Sequence, residues 1–447
     1  MKHLKFKKGL DLPISGTPVQ EISEGPQIDS VAVLGVDYID LKPKMLVQEG
    51  DKVRRGTPLF CNKEDSEAVT VSPATGRVRA INRGARRALQ SVVIQVDDPD
   101  DRGLSFTRKG GDGSREKIVK KLCVAGHWTA FRTRPYSKVP HHETEPLAIY
   151  ITAIDTEPLA PQANPLIAER EEDFDRGVQI VAALTQGNCY VCQAPDADWK
   201  VNAGENIVPV AVSGPHPAGL AGTHLHFLTQ PTAENPVWTI GYRDVIQIGS
   251  LFRTGYLDTE TIISLSGPAA KNPRLIRTYT GASLDDMLEG EIDMSRPVRV
   301  LSGSVLSGRV AEGPLGYLGR YHRQVSLIEE DEKQIPLGWI RPMSSKFAFQ
   351  PVLGSAFSRK LYDLTSNLNG GRRAMVPLGT FEELMPQEFL PTQLMRALLV
   401  MDTDSAQALG ALELDEEDLG LIGFSCPAKY EYGQALRDCL KKIEKEG

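Results

Sequence analysis

Leu147-Ala-Ile-Tyr-Ile-Thr-Ala-Ile154 is the longest strongly apolar run of the 447-residue chain, and its length decides the fold class. Eight residues are far short of the about 20 that a membrane-spanning helix needs. They suit a strand buried on both faces. Residues 165–185 follow with helical length, rich in Ala, Glu and Arg, and Ile180-Val-Ala-Ala-Leu184 supplies an apolar face. Two more strand-like runs come next, Asn188-Cys-Tyr-Val-Cys-Gln193 and Asn206-Ile-Val-Pro-Val-Ala-Val212. Strands alternating with helices predict βαβ units on a parallel sheet. The phosphate loop of such a sheet is a glycine-rich turn after its first strand. Here that turn is Asp155-Thr-Glu-Pro-Leu-Ala-Pro161, with two acids and no glycine, so nucleotide binding is not expected.

Working outward, the first hundred residues read as all-β. Short runs (Val31-Ala-Val-Leu34, Met45-Leu-Val47, Val69-Thr-Val71, Val92-Val-Ile-Gln-Val96) alternate with Gly, Pro and Asp turn signals. Val47-Gln-Glu-Gly-Asp-Lys-Val-Arg-Arg-Gly-Thr-Pro-Leu59 and Ser72-Pro-Ala-Thr-Gly-Arg-Val-Arg-Ala-Ile81 resemble the two halves of a biotinyl/lipoyl-type hammerhead. Counting back from Pro73, the carrier-lysine position holds Asp65, which cannot be acylated as a lysine can. Lys63 lies nearby without the Met or Ala context of a carrier, so a hammerhead without a prosthetic group is expected. Beyond the α/β region the chain turns β-rich and glycine-rich again. Ser283-Leu-Asp-Asp-Met-Leu288 is a short-helix candidate, with Ser283 as N-cap and Asp286 at the capping-box position. The tail is helical and acidic, with 11 acids against five bases over residues 401–447.

The fold class is therefore α/β and multidomain. Residues 1–105 form a β-rich biotinyl/lipoyl-like domain and 106–257 a Rossmann-like α/β domain without a phosphate loop. Residues 258–330 form a β-grasp (SLBB-like) module and 331–447 a helical C-terminal domain. The charge, 51 basic against 58 acidic residues, argues against nucleic acid, whose binders carry a basic excess. Lys2, Lys5, Lys7 and Lys8 make the N-terminus basic, but no apolar h-region follows. Six cysteines are too sparse for a disulfide framework and read as cytoplasmic free thiols. The chain is soluble or lies on a membrane without crossing it.

Several constellations carry a chemical reading beside a plainer one. Anchored on Cys426-Pro427, the ligand run C-x₂-C-x₂-C-x₃-C-P of a four-iron cluster places Glu416, Leu419 and Ile422 at the other three positions. One thiolate of four cannot hold a cluster. Cys189-x-x-Cys192 on a strand points its thiols to opposite faces, which suits buried structural cysteines rather than a dithiol motif. His224 and His226 would share a face if extended, but no neighbouring acid or Cys completes a metal site. Hydrogen-bonded histidines at a domain contact, His216 included, are expected instead. The loop 214–222 can line a crevice at a sheet end. Val124-Ala-Gly-His-Trp-Thr-Ala-Phe-Arg-Thr-Arg-Pro-Tyr-Ser-Lys138 mixes aromatics with cations, fit for a flat, polar-headed ligand or for an amphipathic helix and a surface turn. Residues 341–373, with six Arg or Lys, one acid and Phe347, Phe349 and Phe357, suit an anionic lipid surface, an acidic partner or a solvated loop.

Lys7-Lys-Gly-Leu-Asp-Leu-Pro-Ile-Ser-Gly16 resembles the NqrA family of the sodium-translocating NADH:quinone oxidoreductases. So do Asn82-Arg-Gly-Ala-Arg-Arg-Ala-Leu-Gln90, Phe131-Arg-Thr-Arg-Pro-Tyr-Ser-Lys-Val-Pro140, Asp402-Thr-Asp-Ser-Ala-Gln-Ala-Leu-Gly410 and Glu413-Leu-Asp-Glu-Glu-Asp418. The resemblance implies a peripheral subunit on the cytoplasmic face of the bacterial inner membrane, assembled with five other subunits, some membrane-embedded. That complex uses NADH, flavins, iron–sulfur centres and ubiquinone to export Na⁺, and this subunit is implied to carry no cofactor or metal itself. Flavin-binding relatives use a loop of the form Gly-x-Gly-Gly-Ala-Gly-Phe-Pro-Thr, to which Ala125-Gly-His-Trp-Thr-Ala-Phe131 corresponds with one glycine left. His127 and Trp128 there are expected to obstruct the approach of a ligand. Two roles follow, a contribution to ubiquinone binding with Phe131, Arg132, Arg134 and Tyr136 as contacts, or an assembly scaffold with no ligand and no catalytic residue of its own.

Overall fold

The computed structural model describes residues 2–107, 113–202, 204–293, 295–333, 335–337, 346–350, 357–358 and 360–446. Residues 341–345, 351–356 and 359 of the basic stretch 341–373 thus lie outside the described residues. The strands are β1 (Lys2–Lys5), β2 (Val19–Glu24), β3 (Ser30–Leu34), β4 (Pro43–Met45), β5 (Lys52–Val53), β6 (Pro58–Asn62), β7 (Asp65–Val71), β8 (Thr75–Arg83) and β9 (Leu89–Asp98). They continue as β10 (Arg132–Arg134), β11 (Ile149–Ala153), β12 (Cys189–Gln193), β13 (Ile207–Ser213), β14 (Val237–Gly241), β15 (Glu260–Ser266), β16 (Arg274–Tyr279), β17 (Val298–Ser302), β18 (Arg309–Val310) and β19 (Gln324–Glu329). The helices are α1 (Arg115–Val124), α2 (Ala163–Glu169), α3 (Glu171–Ala182), α4 (Ala221–Leu228), α5 (Tyr242–Thr254), α6 (Leu284–Met287), α7 (Thr380–Leu384), α8 (Pro391–Val400), α9 (Thr403–Ala408), α10 (Gly420–Ser425) and α11 (Tyr432–Glu446).

The apolar run became β11, at the centre of a six-stranded sheet ordered β1-β13-β12-β11-β14-β10. Five strands run parallel and only β10 is antiparallel to its neighbour. Side chains alternate across β11: Ile149, Ile151 and Ala153 enter the core under α3 and α5, while Tyr150 faces the cluster under α4. Both faces are covered, which is why the strand carries no polar alternation. Helices α3 and α5 cross so closely that a Cβ at Gly249 would lie 1.7 Å from the Asp173 carbonyl oxygen. The helix expected over 165–185 breaks at Arg170, whose guanidinium turns to Asp173 (2.7 Å) and Asp258 (2.7 Å).

Two antiparallel sheets, β3-β9-β8-β5 and β4-β6-β7, make up the β-rich region, and a mixed sheet β18-β17-β19-β15-β16-β2 follows the α/β region. In that region Ser283 caps α6 by accepting from the Asp286 N–H (3.3 Å). Asp286 does not close a reciprocal box. Its carboxylate accepts from the backbone N–H groups of Asp29 (3.0 Å) and Ser30 (3.2 Å), tying α6 to β3. The C-terminal helices α7 to α11 surround a separate apolar cluster.

The first 24 residues do not stay with the β-rich unit. β1 pairs with β13, and Gly9 N–H bonds the Glu383 carbonyl in α7 (3.1 Å). Ile14 bridges Tyr362, and β2 pairs with β16.

Candidate functional site

In sheet β1-β13-β12-β11-β14-β10 the strand order reverses between β11 and β14, and the crevice beyond the carboxyl ends at such a switch point is where open α/β sheets take ligands. A cavity of about 360 Å³ occupies that place. Its floor is the loop after β11, with Asp155 and Glu157, and the start of α5, with Arg243 and Asp244. Gly219, Leu220 and Ala221 form one rim, so the loop 214–222 does line a crevice.

The cavity is walled by charge pairs. Asp155 meets Arg323 (2.8 Å), Asp244 meets Arg320 (2.5 Å), and Asp37 meets Arg309 (2.8 Å). Glu157 accepts from the hydroxyls of Ser304 (2.6 Å) and Ser307 (2.8 Å), and burial pushes its carboxyl up to about 7. The glycine-free turn of β11 thus presents two acids where a phosphate loop presents N–H groups. A pyrophosphate there would face like charge.

The four residues expected as quinone contacts do not form one surface. Phe131 is fully buried among Trp128 and Trp238, with ring centroids 5.5 and 5.6 Å away. Arg134 has no exposed side-chain surface and reaches Asp415 (3.1 Å), Glu417 (3.4 Å) and the Ser137 hydroxyl. Tyr136 packs against the C-terminal cluster, and its carbonyl accepts from Arg437 (2.6 Å). Arg132 alone of the four lines the cavity, over the Tyr321 ring and paired with Asp415 (3.2 Å) and Glu417 (3.5 Å). Neither Phe131 nor Arg134 offers side-chain surface to a ligand in this structure.

The acids that meet these arginines, Asp415 and Glu417, flank the first position of the degenerate iron-ligand frame, Glu416. Asp415 caps the 3-10 turn Glu416–Leu419, Asp418 closes its capping box, and Arg437 of α11 adds bonds to Asp415 (2.8 Å) and Glu416 (2.5 Å). Burial alone would raise the Asp415 pKa. The facing Arg134, Arg132 and Arg437 override it and hold the carboxyl well below the usual range. Leu419, Ile422 and Cys426 lie together in the apolar core, with the Cys426 Sγ 3.1 Å from the Tyr432 hydroxyl. Apolar side chains fill the frame where ligands would converge.

Asp418 behaves oppositely. Burial, in front of Glu417 and Asp415, raises its carboxyl to about 8, and its Oδ1 has no hydrogen-bond partner among the described residues. The folded chain then holds a proton that the unfolded chain has released, so this group's contribution to stability falls as pH rises from about 4 to about 8. Asp418→Asn, which keeps an acceptor for the Asp415 N–H, should flatten that fall and unfold later than wild type at pH about 8. Thermal midpoints at several pH values check this, and an unchanged slope would count against it.

Other sequence candidates resolve simply. Cys189 and Cys192 enter different cores on opposite faces of β12, and burial pushes both thiols up. His224 and His226 lie on α4 rather than an extended segment, so they do not share a face. His224 bonds the Ala218 carbonyl (2.8 Å), and His226 bonds Glu413 (2.7 Å) at the contact with the C-terminal helices. Burial lowers His127, His216 and His224 to about 4, leaving them neutral. The flavin-loop counterpart differs from expectation in one respect. The 3-10 turn His127–Ala130 sends Trp128 inward, where its indole N–H donates to the Pro140 carbonyl (2.7 Å), so only His127 faces the adjoining pocket. That pocket is apolar, with Ala32, Leu34, Val71, Leu257 and Leu318 around Tyr38 and Arg320. Gly126 at φ +77° is its remaining tight approach, since a Cβ there would lie 2.6 Å from Val71.

Three family descriptions match the chain: "NqrA N-terminal barrel-sandwich hybrid domain" over residues 4–97, "NqrA second alpha/beta domain" over 113–257 and "NQRA C-terminal domain" over 262–313. Similar curated proteins include the NqrA chains of the Na(+)-translocating NADH-quinone reductases of Neisseria gonorrhoeae, 48% identical, and of Vibrio parahaemolyticus, 49% identical. Each alignment covers 99% of this chain and 100% of the relative. Among solved structures, an air-oxidized NAD+-reducing [NiFe]-hydrogenase aligns at 11% identity and TM-score 0.35, over 50% of this chain and 48% of the other.

Proposed function

Because the chain belongs to the NqrA family of the Na(+)-translocating NADH-quinone reductases, we propose that it is the peripheral subunit of such a sodium pump and contributes to ubiquinone reduction. Full-length identity of 48–49% to proteins of that family carries this reading. No helix among the described residues is long and apolar enough to cross a membrane, which fits a subunit held at the cytoplasmic face by membrane-embedded partners. Under this reading NADH, flavins and iron–sulfur centres belong to the five other subunits. The finer division into lipoyl-like, Rossmann-like, β-grasp and helical units is part of the same proposal.

Residues 125–137 are the candidate quinone wall, since they separate the apolar pocket at His127 from the charged cavity at Arg132. The apolar slot with its few convergent polar groups has the chemistry for a flat ring with two carbonyls, and at about 60 Å³ it must widen to admit one. A photoreactive ubiquinone analogue, irradiated in the assembled complex, should label peptides from 30–38 or 125–137. Labelling confined to other subunits would remove quinone contact from this chain. The second reading is an assembly scaffold. It is favoured by the exposed apolar side chains Leu361, Leu368, Val376 and Leu378 between β19 and α7.

A further inference from the structure

We propose that Asp65, His141 and His142 form a binding site for one borderline divalent transition metal ion, with Zn²⁺ as the type. Asp65 opens β7 at the tip of the β6–β7 hairpin, and the two histidines stand in the turn that leads to β11. Some 77 residues separate the two halves, and the fold brings one ligand atom from each of the three side chains to within 4.8 Å of the others.

The arrangement is built rather than incidental. The Asp65 carboxylate is buried, and its Oδ2 accepts from the His142 backbone N–H (2.9 Å), which fixes its direction. Oδ1 stands 2.8 Å from His142 Nδ1. Zinc ligated at about 2.0–2.1 Å holds its ligand atoms roughly 3.3 Å apart in a tetrahedron. An ion taking the place of the proton shared by His142 and Asp65 therefore needs only a small opening of that contact. The second ring, His141, is stacked on the first with centroids 4.8 Å apart and planes 27° from parallel. It is the exposed member, and its Nδ1 accepts only a long hydrogen bond from the Glu143 N–H (3.4 Å), which it gives up to swing the remaining distance. The turn beneath is held by the Thr144 hydroxyl and N–H, both donating to the His141 carbonyl (2.7 and 2.9 Å). Two imidazoles and one carboxylate select zinc-like ions over Mg²⁺ or Ca²⁺, which take all-oxygen shells. Three protein ligands leave the fourth position to water.

A bound ion would join the hairpin of the β-rich region to the turn just after Pro140, whose carbonyl anchors Trp128. The site is therefore a staple across two sheets.

The full chain, stripped with EDTA, is titrated with Zn²⁺ against a chromogenic chelator, and with Co²⁺ for the visible bands of a four-coordinate ion. One equivalent should bind with micromolar or tighter affinity and raise the thermal midpoint. His142→Ala and Asp65→Asn should each weaken binding by at least about 10- to 100-fold and lose that rise. His3→Ala, on the exposed strand β1, should change neither. Absence of stoichiometric binding in the wild-type chain, which needs no variant to fold, would overturn the site. So would wild-type affinity in both variants while their circular dichroism is unchanged.

Discussion

Asp415→Ala should destabilise the protein by up to about 3–5 kcal/mol, because it removes the buried carboxylate that three guanidinium groups share and leaves them only the more exposed Glu416 and Glu417. Asp415 faces Arg132, Arg134 and Arg437 at 3.2, 3.1 and 2.8 Å, and the Arg134 side chain has no exposed surface. The loss concerns the docking of the C-terminal helices, since Arg132 and Arg134 lie on β10 while Asp415 and Arg437 lie in the tail. Denaturant unfolding and limited proteolysis should show residues 380–446 released first. Asp415→Asn, which keeps one acceptor oxygen without the charge, should fall between. A cost of about 1 kcal/mol or less would reduce the cluster to an ordinary solvated ion pair.

Phe131→Ala should cost about 3–5 kcal/mol through the cavity it leaves. The ring packs on Trp128 and Trp238, themselves 5.3 Å apart edge to face, in the core shared by α1, α3 and α5. Quinone reduction and NADH oxidation by the assembled complex should then decline together as the subunit is lost. Phe131→Leu, closer in volume, should cost less than about 1.5 kcal/mol and leave both activities. A stable Phe131→Ala chain that loses quinone reduction alone would return Phe131 to the ligand contacts.

Strands were legible because their signals are local. The eight-residue run at 147–154 is short enough to suit a buried strand, and the glycine-free turn after it tells against a phosphate loop. The α4 helix was not legible. Ala221–Leu228 is short, with a glycine and a β-branched Thr near its start, and Leu220 offers no side-chain cap. The clamp was half legible. Arg132 and Arg134 stood out as cations among aromatics, and the stretch from Glu416 to Cys426 as a failed ligand frame. Nothing in either string says that the other, some 280 residues away, neutralises it. Periodicity reports which face of an element is buried, not against what. The same holds for Asp65, whose interest as a missing carrier lysine gave no hint of two histidines beside it.

The threading of the first 24 residues bears on how the protein is made. On the ribosome, β1 emerges first, yet its partner β13 is synthesised about 200 residues later, roughly 10–40 s at bacterial elongation rates. The contacts of Gly9 with Glu383 and of Ile14 with Tyr362 wait longer still. Residues 2–5 must therefore wait for 207–213, and residues 9–14 for 362–383, and the run of lysines at 2, 5, 7 and 8 keeps the segment soluble meanwhile. Arrival of residues 362–383, rather than completion of any one sheet, becomes the event that locks the N-terminal segment in place. A bulky fusion ahead of Met1 would stand in the path of that last closure.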